Sequence, residues 1–202
     1  MFLSIIELDL VNPYIVQSLT NMELMHKNIM TMFKANREEE QVLFSLYNSD
    51  NGVRCIVQSK NMPCVTDKTI GMTFISSRNI AMDYDKMLQT GKTISFMMNV
   101  APVKRLRREG KNSSKVYISS LEERVAWLTK QADRHGFKVL RATEMPVTKQ
   151  DFYHGMQKGS IYGNQYTGIL TITDASKFMN LIKIGIGTGK PYGFGMFLLH
   201  EN

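Results

Sequence analysis

Four histidines, at 26, 135, 154 and 200, are the residues of this 202-residue chain best suited to proton transfer near neutral pH. They are scattered, and none has a second ligand at the spacing of a metal site, so no resident metal is expected. Asp83 and Asp85 would share one face if their segment were a strand, a weak pattern for a carboxylate-held cation. His26 differs from the other histidines. It lies in phase with the apolar stripe Leu19, Met22, Ile29 and Phe33, with Glu23 one turn earlier and Lys27 beside it. A satisfied core histidine is the plain reading. The sharper one is a general base whose pKa Glu23 adjusts, with Lys27 turned to solvent or to a phosphate. Glu23 already has a role as the fourth residue of a capping box, Thr20-Asn21-Met22-Glu23. His135, between Arg134 and Gly136, is expected to close a helix against its dipole. His154, in an expected loop, and His200 have no visible partner.

The second feature with chemical potential is the run Gly185-Ile186-Gly187-Thr188-Gly189-Lys190-Pro191-Tyr192-Gly193-Phe194-Gly195. It is not a nucleotide P-loop, because three residues rather than four separate Gly185 from Gly189-Lys190, and Pro191 stands where a hydroxyl should bind magnesium. Glycines at this density serve a tight turn or bring backbone N–H groups close to a phosphate.

The third feature is charge. The chain carries 25 Lys and Arg against 18 Asp and Glu, a net of +7. Lys104, Arg105, Arg107, Arg108, Lys111 and Lys115 stand against Glu109 alone, so five of those seven charges fall within twelve residues. Gly110, Asn112, Ser113 and Ser114 mark the same stretch as an exposed loop or hairpin tip. It reads as a solvated surface segment or as an arm that neutralises phosphates.

These residues need a scaffold, and the composition supplies one. At 43% hydrophobic and 21% charged the chain is globular, long enough for one large domain or two small ones. No apolar run is long enough to span a membrane, and the first ten residues lack a basic n-region, so a cytoplasmic protein is expected. Cys55 and Cys64 form neither a CxxC pair nor a disulfide framework, and Cys55 is expected as a buried thiol.

Phe2 to Leu10 reads as a strand, followed by a helix from Asn12-Pro13 to about Lys34 with a break near Thr20. Val42–Tyr47 and Val53–Gln58 flank a hairpin turn at Asn48–Gly52, and Thr69–Met82 and Lys92–Val100 read as extended. A capping box at Ser120–Glu123 opens a helix with Leu121, Val125, Leu128 and Ala132 on its inner face, stopped by Gly136. Phe137–Val147 and Tyr162–Thr171 follow as strands. Asp174 caps a helix that turns Phe178, Leu181 and Ile182 inward, and a last strand ends near His200. The class is α+β, in two compact units.

Four stretches together carry a resemblance. They are Met25-His26; Val57-Gln58-Ser59 through Met62-Pro63; Glu123-Arg124-Val125-Ala126-Trp127-Leu128; and Gly168-Ile169-Leu170-Thr171-Ile172-Thr173-Asp174-Ala175 running into the glycine loop. In this order the chain resembles the CRISPR-associated endoribonucleases of type I-E systems, the CasE family. The resemblance implies two tandem ferredoxin-like (βαββαβ) domains, over residues 1–101 and 102–202. It implies that the substrate is the stem-loop repeat of precursor CRISPR RNA, cut at the 3′ base of the stem without metal or other cofactor. The mature RNA would stay bound to the protein as a Cascade subunit, and the free protein would be a monomer.

His26 falls on the family's catalytic histidine. The tyrosine often found one turn earlier is replaced by Glu23, which leaves the proton donor to Lys27, Lys190 or Tyr192 or makes it dispensable. In this reading His26 is the general base for attack by the RNA 2′-hydroxyl, and Lys27 or Lys190 stabilises charge on the phosphate. Gly185, Gly187, Gly189, Tyr192 and Gly193 would contact RNA, with Lys104, Arg105, Arg107, Arg108, Lys111 and Lys115 supplying affinity. A subunit of the same fold that binds the stem-loop without cutting it is the alternative. A metal nuclease using Asp83 and Asp85 is a third reading.

Overall fold

The computed structural model describes residues 1–50, 52–108, 111–146 and 148–201. The first unit starts with β1 (Phe2–Leu8), two helices α1 (Pro13–Thr20) and α2 (Met22–Met30), then β2 (Leu43–Ser49), β3 (Gly52–Ser59) and β4 (Met72–Asn79). Its antiparallel sheet has the order β2-β3-β1-β4. A short helix α3 (Ala81–Met87) leads into the second unit: β5 (Thr93–Val100), β6 (Val103–Arg108), β7 (Lys111–Tyr117), α4 (Leu121–His135), β8 (Phe137–Glu144), β9 (Thr148–His154), β10 (Gln157–Ile172), α5 (Ala175–Ile184) and β11 (Phe197–Glu201). This sheet runs β11-β5-β10-β8, with β9 paired to the far end of β10.

Both sheets have the ferredoxin-like order, in which the last strand flanks the first and the third lies beside it. The second unit keeps both crossover helices, α4 and α5. In the first, residues 60–71 run from β3 to β4 without a helix, so only the first crossover is helical. The expected division after residue 101 cuts through the second sheet, because β5 is hydrogen-bonded between β11 and β10. Ile80, Tyr84 and Met87 also belong to the second core, which places the junction near Asn79.

Each unit buries its own apolar set. Ile6, Ile15, Met25, Ile29, Phe44 and Val57 fill the first, along with Cys55, whose thiol burial holds protonated. In the second, the rings of Phe137, Phe178 and Phe197 meet with centroids 5.4–5.9 Å apart. Each such side chain contributes about 1.5–3 kcal/mol by leaving water. The units are joined by polar contacts: Gln58 donates to the Ile182 carbonyl at 2.7 Å in a buried bond, and Asn99 to Ser45 Oγ at 2.8 Å in a partly buried one.

Two expectations about faces change. Leu121 and Val125 are 58% and 54% exposed, whereas Arg124, at 8%, is buried with Leu128 and Ala132. The guanidinium is drawn inward by Glu144, which it grips from Nε at 3.1 and 3.0 Å, while its Nη1 donates to the Ile118 and Ser119 carbonyls. Asp83 and Asp85 lie on helix α3, not on a strand, and two residues apart on a helix they point to different sides. Among the described residues no three His, Cys, Asp or Glu side chains converge as a metal site would need.

Candidate active site

The helix that carries His26 begins where the backbone turns extended at Asn21, with φ −137° and ψ 92°. Asn21 Oδ1 accepts from the Glu23 N–H at 3.2 Å, so Asn21 is the cap, while the Thr20 hydroxyl donates back to the Gln17 carbonyl. The expected capping box therefore does not form. The Glu23 carboxylate is turned into the site, its side chain 12% exposed and 3.5 Å from Lys27 Nζ. His26, one turn on, is half-buried, with the apolar Met25 and Ile29 packed into the core behind it. Burial lowers its pKa below 6.5, the positive charges of Arg37 and Lys27 lower it further, and Glu23 opposes them. At neutral pH the ring is therefore mostly an unprotonated imidazole, the form that accepts a proton.

Arg37 has no sequence signal of its own, lying in an irregular loop after α2. The loop is nevertheless fixed. Asn36 Oδ1 accepts from the N–H groups of Glu38 and Glu39 at 3.0 and 3.1 Å, and the Glu40 carbonyl accepts from Lys60 N at 2.7 Å. Arg37 lines a cavity of about 270 Å³ with Glu38, Lys183 and Lys190. Burial and the charge of Arg37 hold Lys190 below its ordinary pKa, against the opposing pull of Glu38. Three cations with one carboxylate form a pocket suited to an anion.

Lys190 is delivered by the glycine loop. Gly185, Gly187, Gly189, Gly193 and Gly195 all have positive φ, between 70° and 88°. At Gly195 a Cβ would also stand 2.5 Å from the Ile186 carbonyl oxygen, so both conformation and space demand glycine there. The Gly195 N–H donates to the Asn99 carbonyl at 2.6 Å, which pins the loop to β5. The Gly185 N–H is likewise committed, to the Leu181 carbonyl, so this glycine closes helix α5 and does not offer its amide to a phosphate. Gly187 lies against the Trp127 ring. Between Gly189 and Gly193 one turn of 3₁₀ helix, Lys190–Tyr192, packs on α2 and β2.

Tyr192, at the other end of that turn, is not among the residues lining the basic pocket. Its hydroxyl lies 3.3 Å from Glu23 Oε2 and 3.2 Å from His154 Nε2, and its ring stacks on Phe152 at 4.4 Å, with 11° between planes. Burial, and then the negative charge and hydrogen bond of Glu23, push the phenol pKa up to about 12, so it keeps its proton at neutral pH. His154 also departs from its expected place. It sits on β9 rather than in a loop, with two partners, since its Nδ1 is 3.9 Å from Glu23. The β9–β10 hairpin reaches it there by packing on α1 and α2, and the Tyr153 N–H donates to Asn21 at 3.2 Å.

The basic segment forms the β6–β7 hairpin, as its turn-forming residues predict. Arg105 and Lys115 are exposed, and Lys104 is paired with Glu123 at 2.6 Å. The side chains of Arg107, Arg108 and Lys111 lie outside the described residues. A bridge from Ala101 to Thr188 sets the root of this hairpin against the glycine loop, and Lys115, Tyr117, Tyr162 and Thr188 line the groove between them. Lys27, 65% exposed, is on the outer side of α2. The structure therefore gathers His26, Lys27 and Glu23, the turn bearing Lys190 and Tyr192, and the root of the basic hairpin around one junction.

The model of a family described as CRISPR associated protein matches residues 1–200. CRISPR-associated endoribonuclease Cse3 of Thermus thermophilus is 27% identical over 121 residues, 54% of this chain and 56% of that protein. The chain's match thus spans a little over half the length of that relative. The CRISPR system Cascade subunit CasE of Escherichia coli is 26% identical over 160 residues, covering 75% of this chain and 76% of the other. Among solved structures, Cse3 bound to a 19-nucleotide RNA superposes with a TM-score of 0.84 at 20% identity, covering 99% of this chain and all of that one. At that identity the likeness is one of fold.

Proposed function

The chain belongs to the CRISPR-associated protein family, in its CasE-like, type I-E branch, and from that premise we propose that it is a CRISPR RNA-processing endoribonuclease. In this reading it binds the stem-loop repeat of the precursor RNA, cuts at the 3′ base of the stem without metal, and stays on its product. It then works in the cytoplasm as a subunit of Cascade. No helix among the described residues is long and apolar enough to cross a membrane.

The observation that carries the proposal is a half-buried histidine on α2, one turn from Glu23, that feels the charge of Arg37, which lines a cationic pocket with Lys190. RNA supplies its own nucleophile, so the protein needs only to align three atoms and move two protons. His26 takes the proton of the 2′-hydroxyl as its oxygen bonds to phosphorus. The bond from phosphorus to the 5′ oxygen breaks, and that oxygen takes a proton from Tyr192, whose raised pKa keeps it in the donor form. His154, against the Tyr192 hydroxyl, can return the proton afterwards. Lys190, Arg37 and Lys27 offset the charge that grows on the non-bridging oxygens. The products are a 2′,3′-cyclic phosphate and a 5′-hydroxyl. The basic hairpin contributes affinity and register, since an A-form stem is read largely through phosphates and 2′-hydroxyls.

The test is incubation of the purified protein with its host's repeat hairpin in EDTA. Cleavage is expected from the wild type, and loss of cleavage with retained binding from His26→Ala. A 2′-deoxy nucleotide at the scissile position should block cutting and leave binding largely intact. Binding without cleavage by the wild type would instead establish a non-cutting stem-loop subunit, and cleavage only on adding magnesium would refute the proposed chemistry.

A further inference from the structure

The two ends of the Lys190–Tyr192 turn open on different surroundings. Lys190 lines the cationic pocket with Arg37 and Lys183. Tyr192 lines a separate cavity of about 380 Å³ between the two units, whose other walls include Met22, Leu46, Asn99, Gln150 and Gln165. None of the described residues lining it is charged. A phosphate placed there would be stripped of water with no cation to receive it. The volume lies at the small end of ligand pockets, and the walls mix flat apolar surface with amides.

Those amides are available. Asn99 spends one N–H on Ser45, and its side-chain oxygen has no hydrogen-bond partner among the described residues. The side chains of Gln150 and Gln165 are half-buried, and neither has a hydrogen-bond partner among the described residues. Each carries two donors and an acceptor on one planar group, the complement of a base edge. Asn99 and Gln165 are register partners on adjacent strands β5 and β10, so their positions are fixed by the sheet rather than by a loop. Tyr192 itself is held from the side by the stacked Phe152 ring.

We propose that this neutral cavity is a nucleobase pocket, which receives the unstacked base of one of the two nucleotides joined by the scissile phosphate. The inference rests on the endoribonuclease reading and extends it from the phosphate to the base. A three-residue turn is only about 6 Å long, comparable to the distance between a nucleotide's phosphate and its base. One nucleotide can therefore set its phosphate between Lys190 and the Tyr192 hydroxyl, and its base against the part of Tyr192 that lines the cavity. The hydroxyl meets Glu23, a residue that does not line the cavity. Seating the base rotates the strand out of the stem's stack, and this aligns the 2′-hydroxyl with the bond that breaks. The glycine loop thus does more than shape the backbone, since its turn separates an anionic subsite from a neutral one.

The probe is the repeat hairpin with unpaired flanks, carrying an abasic ribose at either of the two nucleotides joined by the scissile phosphate. With wild-type protein, one of the two substitutions should lower kcat/KM by roughly 10-fold or more, the scale of losing one seated base. In Gln165→Ala, and separately in Gln150→Ala, the intact RNA should be cut more slowly and the abasic penalty should shrink toward unity. A hairpin trimmed of its flanks should bind wild type and both variants alike, which reports that they fold. Equal abasic penalties in wild type and variants, or no penalty at either nucleotide, would overturn the pocket while leaving cleavage standing. Failure of the wild type to cut any of these RNAs would overturn the endoribonuclease reading, and the pocket with it.

Discussion

Two hairpins are inserted into the second ferredoxin-like unit, and they behave in opposite ways. The β6–β7 hairpin is cationic, with Arg105 and Lys115 exposed, and its root is bridged to the glycine loop. The β9–β10 hairpin folds back onto α1 and α2 of the first unit and brings Phe152 and His154 to Tyr192 and Glu23. The first has the properties of an affinity device, whose interactions are long-ranged and screened by salt. The second has those of a catalytic support, with short-range contacts at fixed distances. In the proposed function, the same unit would separate holding the RNA from cutting it. The two roles should come apart in measurement.

The sharpest break is at Tyr192. If the docked hairpin serves proton transfer, Tyr192→Phe keeps the stack on Phe152 and loses only the hydroxyl, so kcat should fall by roughly 10²–10³-fold with Kd little changed. Single-turnover rates at saturating RNA, beside a binding isotherm, provide the check. A fall in affinity with kcat intact would reverse the assignment of roles.

The next effect belongs to the other hairpin. Replacing Lys104, Arg105, Arg107 and Arg108 together with alanine should weaken binding by about 100-fold at physiological salt and leave the rate at saturating RNA unchanged. Lys104 already spends its charge on Glu123 at 2.6 Å. The slope of log K against log salt should therefore become shallower by roughly three rather than four. An unchanged slope would remove the hairpin from the RNA interface.

These hairpins also differ in how legible they were. The cationic one was readable because a run of like charge beside Gly110 and Asn112 is a local signal. The other was not. Thr148–His154 has no clean alternation, and it pairs with an extension of β10 beyond the residues that read as a strand. His154 looked partnerless because Glu23 and Tyr192 lie 131 and 38 residues away. His26 stood out on an apolar stripe, which by itself reads as a core histidine, and its catalytic role came only from the resemblance. Arg37 had no signal, since nothing in an irregular loop marks which charge faces inward. The α+β class followed from local patterns, whereas the ferredoxin-like order of the two sheets came from the resemblance. Arg124 reversed the expected inner face of α4 because its ion-pair partner, Glu144, is long-range.

Arg124 gives a smaller effect that sharpens the contrast. It ties the strand end after β7 to β8 through two carbonyls and Glu144, below the basic hairpin. Arg124→Ala leaves the Glu144 carboxylate in a largely buried place with Tyr166 as its remaining partner among the described residues. A loss of about 2–3 kcal/mol is expected, seen as a Tm lower by roughly 5–10 °C. RNA affinity should weaken as the hairpin root loosens, while kcat at saturating RNA holds. A parallel loss of kcat would mean that the two hairpins are mechanically coupled.

The smallest effect tests the electrostatics of the cutting side directly. A base must be unprotonated, so the rate should fall as pH drops through the pKa of His26, and that limb should lie below 6.5. Arg37 and Lys27 disfavour the imidazolium and hold the pKa down, while Glu23 favours it. Arg37→Ala removes a repelling charge, so the protonated form becomes easier to reach and the acid limb moves to higher pH. Glu23→Gln removes an attracting charge, so the limb moves to lower pH. Neutralising cations of the β6–β7 hairpin should not move it, because none of them bears on His26 among the described groups. Opposite displacements from two substitutions on the cutting side, and none from the holding side, are difficult to produce by general destabilisation. If the rate instead fell with rising pH through a pKa that Arg37→Ala raises, His26 would be the proton donor, and the base would have to be sought elsewhere in the site.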